Sequence, residues 1–257
     1  MPLHVYGVVR SARPDPSSVD GVGTPPGHIG LVRSGELAAA VSTIEADFEP
    51  RDADAVRHLE VLIALLRDGP VLPMRFGTVA DDEAAVQAEI LDPVTEPLCD
   101  SLDRLDGLVE LRLTVVADED VELRRLAAES RDVRQMLGSA SEARDGLMAH
   151  RIAVGERLSH ELEARRSVRS ELISGRLGPR CVDQQLLPNV SPTTSSHAFL
   201  VRADDMTGFD RAVELLFSDL GPGYEVEYVG PLPAVDFINV ESHKEPDRWS
   251  GTGHWGW

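Results

Sequence analysis

The chain has 257 residues, 42% of them hydrophobic and only 5% aromatic, so it can bury a sizeable core that must be mainly aliphatic. It carries 44 acidic against 25 basic residues, a net charge of −19. A field of that sign repels nucleic acid and anionic membrane surfaces, and neither is expected as a partner.

The opening MPLHVYGVVR has no basic stretch followed by a long apolar run, so neither a signal peptide nor an anchor is expected. No window approaches the roughly 18 continuous apolar residues of a membrane span. Cys99 and Cys181 lie far apart without a CxxC, which suits two free thiols in a reducing cytosol. The sequon Asn189-Val190-Ser191 is then silent.

Leu3 to Val9 is almost continuously apolar and reads as a buried central strand. Residues 11 to 27 hold four prolines and three glycines and read as a surface loop. Ile29 to Val32 and Leu37 to Ile44 read as strands about a tight turn at Gly35. A helix follows from Asp52 to Arg67, with Leu59, Leu62, Ile63 and Leu66 on one face. Val71 to Phe76 returns as a strand. Thr78 or Asp81 caps a helix reaching Leu91, and Pro93 opens another with Val94, Leu98, Leu102 and Leu105 in one stripe. Val109, Leu111, Leu113 and Val115 alternate with Glu110, Arg112 and Thr114, the pattern of a strand with one wet face.

From Asp118 to Leu177 the pattern is helical throughout. A long amphipathic segment, Ala143 to Ile173, has Leu147, Val154, Leu158, Leu162, Val168 and Leu172 on its apolar side and a Glu161–Arg165 contact opposite. A Ser/Thr/Pro linker at 191 to 196 precedes a strand from His197 to Arg202. Next comes a helix with Thr207 and Asp210 as its capping box and Phe209, Val213, Leu216, Phe217 and Leu220 as its stripe. Tyr224, Val226 and Tyr228 alternate with Glu225 and Glu227. After a Gly-Pro-Leu-Pro turn, Val235 to Val240 reads as a last strand.

This order predicts an α+β fold: two small sandwiches of helices on antiparallel sheets, joined by a long helix. The expected division is 1–117 for an N-terminal α+β domain and 118–180 for a helical connector. Residues 181–240 form a C-terminal α+β domain, and 241–257 a tail.

No catalytic motif survives inspection, and neither a cofactor nor a metal is expected. The glycines of Gly21 to Gly27 have the wrong spacing for a dinucleotide loop, and two prolines interrupt them. His160-Glu161 opens like a zinc-protease helix, but Ala164 stands where the second histidine would be. His150 and His160 are too far apart to ligate from one helix face. Cys99 borders the Leu98/Leu102 stripe and reads as packing. The clusters Asp81-Asp82-Glu83 and Asp118-Glu119-Asp120 sit at helix starts, where the macrodipole accounts for them. A ligand-sensing or enzymatic ferredoxin-like module stays open as the alternative, since sequence does not exclude a polar pocket.

The segment Pro70-Val-Leu-Pro-Met-Arg-Phe-Gly-Thr78 stands out, with Arg75 between apolar neighbours and a turn into a helix. It reads either as a plain edge strand or as an apolar edge to which a partner adds a strand. Its VLPMRFGTV, Val71 to Val79, resembles the signature of the gas vesicle protein F/L family. Other pieces agree in order: Val5-Tyr6-Gly7-Val8-Val9, Leu37 to Ser42, His58-Leu59-Glu60-Val61-Leu62, Gly107 to Leu111, Ala198 to Val201, Phe209, and Gly230 to Phe237. The chain departs from the family at Leu232 and Val235, where an aromatic is usual.

The resemblance covers residues 3 to 240. It implies two α+β domains of ferredoxin-like character and an accessory protein of gas vesicle formation, without enzymatic activity, in the cytoplasm and at the vesicle. Its implied partners are the small hydrophobic shell protein and other gas vesicle proteins. Val71, Leu72, Met74, Arg75 and Phe76 are the candidate protein-binding residues, with the Tyr224 and Tyr228 face as a second apolar surface. The 241–257 tail holds Trp249, Trp255 and Trp257, and Trp255 and Trp257 are expected to dock on this chain or on a partner.

Overall fold

The computed structural model describes residues 1–16, 19–135, 148–189 and 191–238, with the side chains of 148–151 left aside. The calls on Leu147, His150, Trp249, Trp255 and Trp257 lie outside the described side chains. Two antiparallel sheets carry the fold. The first has the order β2 (Ile29–Ser34), β3 (Leu37–Thr43), β1 (Leu3–Arg10), β4 (Leu72–Pro73), with β5 (Val79–Ala80) also on β1. The second has the order β7 (Asp183–Leu186), β8 (Thr194–Arg202), β6 (Leu108–Ala117), β9 (Tyr224–Leu232). The helices are α1 (Asp52–Leu66), α2 (Glu83–Ala85), α3 (Thr95–Arg104), α4 (Glu119–Glu129), α5 (Met148–Leu177) and α6 (Met206–Leu220).

β1 is central, as its unbroken apolar run predicts, and seven of its eight residues are buried. β2 and β3 meet at Gly35, whose φ of +56° is a turn conformation that a Cβ disfavours. The loop at 11 to 27 is not all surface: Val22 is fully buried, its N–H donating to Tyr6 Oη at 2.8 Å.

The stripe of α1 differs from the leucine count. Asp54, His58, Val61, Leu62 and Leu65 are buried, and of the four residues expected only Leu62 is. Two polar residues, Asp54 and His58, occupy core-facing turns, so counting apolar residues alone turns the helix by about one position. Asp82, one residue beyond the expected caps, accepts from Ala85 N–H at 2.9 Å.

β6 departs most from expectation. Read with the first unit, it is a central strand of the second sheet, paired with β8 along its length and with β9 on its other edge. Its second face is half-buried at Arg112 and Thr114 and closed at Glu110. Glu110 is fully buried, because that face packs toward the first sheet. One apolar cluster joins Val5, Val8 and Leu37 of the first sheet to Leu98 and Leu102 of α3 and to Leu200 of the second sheet. The second sheet's other face carries α5 and α6, with Ile173, Leu177, Phe209, Val213 and Leu216 against Leu113 and Phe199. Burial of each such large side chain contributes about 1.5–3 kcal/mol.

The succession β6, α4, α5, β7, β8, α6, β9 has spatial order β7-β8-β6-β9; with α4 set aside as an additional helix, it follows the strand–helix–strand–strand–helix–strand order of the expected ferredoxin-like pattern. In the first sheet three strands precede the first helix.

The second half of the expected linker at 191 to 196 is the start of β8, and Thr193, Thr194 and Ser195 are buried. β7 went unpredicted because Asp183-Gln184-Gln185 is polar; all four of its residues are exposed. Thr207 lies inside α6 rather than capping it, and Asp210 accepts from Tyr228 Oη–H at 2.7 Å. Val235 to Phe237 is a 3-10 turn, not a strand. Asp118 caps α4, accepting from Val121 N–H at 2.9 Å. Asp118→Ala is expected to lower stability by about 1 kcal/mol, read as a shift in urea midpoint at constant slope.

Candidate partner-binding surfaces

The segment after α1 runs along the open side of β1. Val71 and Leu72 are buried, at 1% and 3% exposure, in two different apolar clusters. Gly7 makes this approach possible: a Cβ there would sit 2.7 Å from Leu72 O and 2.9 Å from Val71 Cγ2. Met74 N–H donates to Tyr6 O at 2.8 Å, and Thr78 O accepts from Val5 N–H at 2.9 Å. The expected strand from Val71 to Phe76 is therefore only two paired residues plus these separate bonds, because Pro73 and the Arg75–Thr78 turn break the ladder.

Alternation fixes what the outer edge offers. Leu72 and Met74 face β1, so Pro73 and Arg75 face away. Pro73 has no N–H, which blunts the edge. Arg75 is exposed, and its N–H donates to no backbone carbonyl among the described residues. Phe76 turns inward, its ring 5.7 Å from His4 and 5.6 Å from His58.

Beneath the segment lies a buried histidine pair that sequence reasoning passed over. His58 Nε2 is 3.1 Å from Met74 O, and a carbonyl only accepts, so Nε2 carries the proton. His58 Nδ1 then accepts from His4 Nε2–H at 2.9 Å. His4 Nδ1 is left as a buried lone pair without a donor among the described residues. Burial, and then the neighbouring His58, push His4 down to about 3; burial pushes His58 down to about 4. Both rings are neutral near pH 7, and the relay ties α1 and β1 to the backbone of Met74. A histidine inside an apolar strand run was the available signal.

The second predicted surface is mostly interior. The Tyr224, Val226 and Tyr228 side chains are half-buried against the core under α6. Tyr224 Oη accepts from Arg125 Nη1 at 3.0 Å and donates to Glu122 Oε1 at 3.2 Å. Glu122 is 2% exposed and also meets Arg165 of α5, at 3.6 Å. Arg165 thus pairs with Glu122 and Glu129 of α4, not with Glu161 as the i, i+4 spacing suggested; Glu161 pairs with Arg157 at 3.3 Å.

A third polar cluster holds the segment after β9. Fully buried Glu110 accepts from Arg112 Nε–H at 2.7 Å and from Asp236 N–H at 2.9 Å. Arg112 Nη2 lies 3.0 Å from Asp236 Oδ2, ion-pair distance without hydrogen-bond alignment. Burial pushes Glu110 up to about 7. Cys99 packs half-buried and accepts from Arg10 Nη1 at 3.0 Å. Among the described residues no group of three or more His, Cys, Asp or Glu side chains converges as metal ligands would, and no helix is long and apolar enough to cross a membrane.

These features describe an α+β protein of two antiparallel sheets whose described polar clusters secure segments of the chain. The family model for "Gas vesicle synthesis protein GvpL/GvpF" matches residues 2–239, and the chain belongs to that family. It is 31% identical to gas vesicle protein F of Streptomyces sp. (strain CB03234) over 93% of this chain and 100% of that one. It is 23% identical to gas vesicle protein F of Dolichospermum flosaquae, over 94% and 99%. The fold superposes on the crystal structure of GvpF from Anabaena sp. PCC7120 with a TM-score of 0.77, at 18% identity, over 91% of this chain and 96% of that one. The Microcystis aeruginosa GvpF crystal structure gives 0.76 at 18%, over 92% and 98%. The chain therefore has a gas-vesicle-related role, and association with other gas vesicle proteins goes with it.

Proposed function

We propose that this protein is an accessory factor of gas vesicle assembly. It binds the small apolar shell protein in the cytoplasm and assists nucleation or growth of the vesicle, remaining as a minor component. The observation that carries this reading is the family match along residues 2–239, with the Streptomyces relative covered end to end. The charge supports it: a net −19 keeps complexes with an apolar client apart in solution. The edge at Arg75 supports it too, as one outward backbone donor beside exposed side-chain surface.

The test is capture of purified shell protein by the full chain, wild type against Arg75→Pro, with circular dichroism on both. Wild type is expected to bind. Arg75→Pro should stay folded and bind about tenfold more weakly, since it removes the outward N–H and leaves an acceptor of the client unpaired. A folded Arg75→Pro with undiminished capture rules out this edge, and a wild-type chain that never binds shell protein overturns the reading.

A further inference from the structure

Residues 233–238, after β9, cross from the second sheet to the first unit as a strap. Ala234 and Phe237 enter the apolar cluster between the sheets, beside Leu102 of α3 and Leu200 of β8. Arg104 of α3 donates to Phe237 O at 2.9 Å. The other polar hold on the strap is the Glu110 cluster.

That cluster is one cation short. Glu110 is fully buried and Asp236 is 22% exposed, and a single guanidinium, Arg112, serves both. Arg112 Nε–H and Asp236 N–H take one oxygen each of Glu110, while Asp236 Oδ2 has no aligned donor among the described residues. The other elements around Glu110 do not make up the deficit. Leu200 of β8 and Leu232 of β9 stand opposite it, and the first sheet brings Val5, Val8 and Leu37. Arg202 of β8, opposite Leu108, is exposed at the rim of the same face, and Arg104 is turned to Phe237 O. Two carboxylates on one guanidinium, in a place largely closed to water, favour one proton between them. Burial pushes Glu110 up to about 7 against the bond from Asp236 N–H and the charge of Arg112, and the charge of Asp236 adds to the rise.

We infer that Glu110 and Asp236 form a proton-operated latch: a proton held on the pair fastens the strap across the two sheets, and its loss loosens the strap. Lifting the strap bares the apolar surface that Ala234 and Phe237 cover and uncouples β9 from α3. With the strap lifted, Glu110 meets water and returns toward its ordinary value of 4.5. The closed strap therefore holds the proton more tightly than the open one. Its grip is full below that value and is lost as pH rises through about 7, with the open fraction changing about tenfold per pH unit between. The latch does not depend on the assembly role proposed above.

The experiment follows amide exchange of the full-length chain by NMR from about pH 7.5 to about pH 5.5, each rate divided by that of an unstructured amide at the same pH. Protection of the Asp236 amide should rise about twentyfold on this descent. Amides at the centre of β1, which exchange through global unfolding, should move the other way, because buried His4, His58 and His197 weaken the fold in acid. Glu110→Gln cannot ionise and should hold the Asp236 amide at one high protection throughout. Should that variant fail to fold, Asp236→Asn at the half-buried position removes the neighbouring charge and should cut the rise to a few-fold. An Asp236 amide whose protection in wild type stays flat, or falls with β1, overturns the inference. So does a rise that persists undiminished in folded Glu110→Gln or, where only that variant folds, in Asp236→Asn.

Discussion

Between pH 7 and pH 5 the folded chain is expected to lose about 3 kcal/mol of stability. His4, His58 and His197 are all buried and held neutral, near 3, 4 and 4, against about 6.5 when unfolded. Their folded pKa values are depressed, so below about 6.5 protons bind the unfolded chain preferentially. Stability is then full above that pH and falls as it drops toward 4. At pH 5 the three together cost about 5 kcal/mol. Glu110 acts in the opposite sense: its folded pKa is raised to about 7, so its protonation favours the folded chain over the same window and offsets about 2 kcal/mol. Urea midpoints measured across pH 7 to 5 read the sum. His197 offers the cleanest check, because its Nε2 has no partner among the described residues and its ring stacks on Phe199. His197→Phe should remove about a third of the histidine loss. A flat profile, or one His197→Phe leaves unaltered, contradicts the assignment.

Gly7→Val is expected to cost about 3 kcal/mol and to loosen the signature segment in particular. The new side chain would meet Leu72 O, Val71 Cγ2 and Leu62 Cδ2 at 2.7, 2.9 and 3.1 Å, and the first is backbone that cannot rotate away. The segment from Val71 to Thr78 must move off β1, breaking the Met74–Tyr6 bond and the His58–Met74 contact with it. Hydrogen exchange at Met74 N–H should rise well beyond the global change. A variant as stable as wild type, with Met74 protected as before, would show that the close approach is not needed.

What was legible in the sequence follows from which residues obey one simple rule. α3 and the stripe of α6 are apolar wherever they are buried, and β1 and β3 are so apart from His4 and Ser42, so periodicity alone places them. Legibility fails where a polar residue takes a core position. His58 and Asp54 on α1, Glu110 on β6 and Arg169 on α5 each have a specific partner that only the folded chain supplies. Counting apolar residues therefore rotated α1, put Glu110 on a wet face of β6, and placed inside Val168 and Leu172, which are 66% and 42% exposed. β7 was missed for the converse reason: an exposed edge strand held by β8 backbone needs no apolar side chain. The resemblance at Val71 to Val79 located the segment without revealing that Gly7 and a histidine pair hold it. Of the other proposed contact residues, Tyr224 bonds to Arg125 and Glu122 of α4, and Tyr228 packs under α6.

The place of β6 also governs how the chain is made. β6 ends at Ala117, and β8 begins only at Thr194. At about 5–20 residues per second the ribosome needs roughly 4–15 s to deliver the first partner, and longer for β9. Through that interval a ten-residue strand, Leu108–Ala117, has neither neighbour, while α3 and the first sheet can already bury the face that holds Glu110. A nascent chain halted before β8 would present both edges of a central strand at once, so synthesis is the stage at which β6 itself is open to wrong pairing.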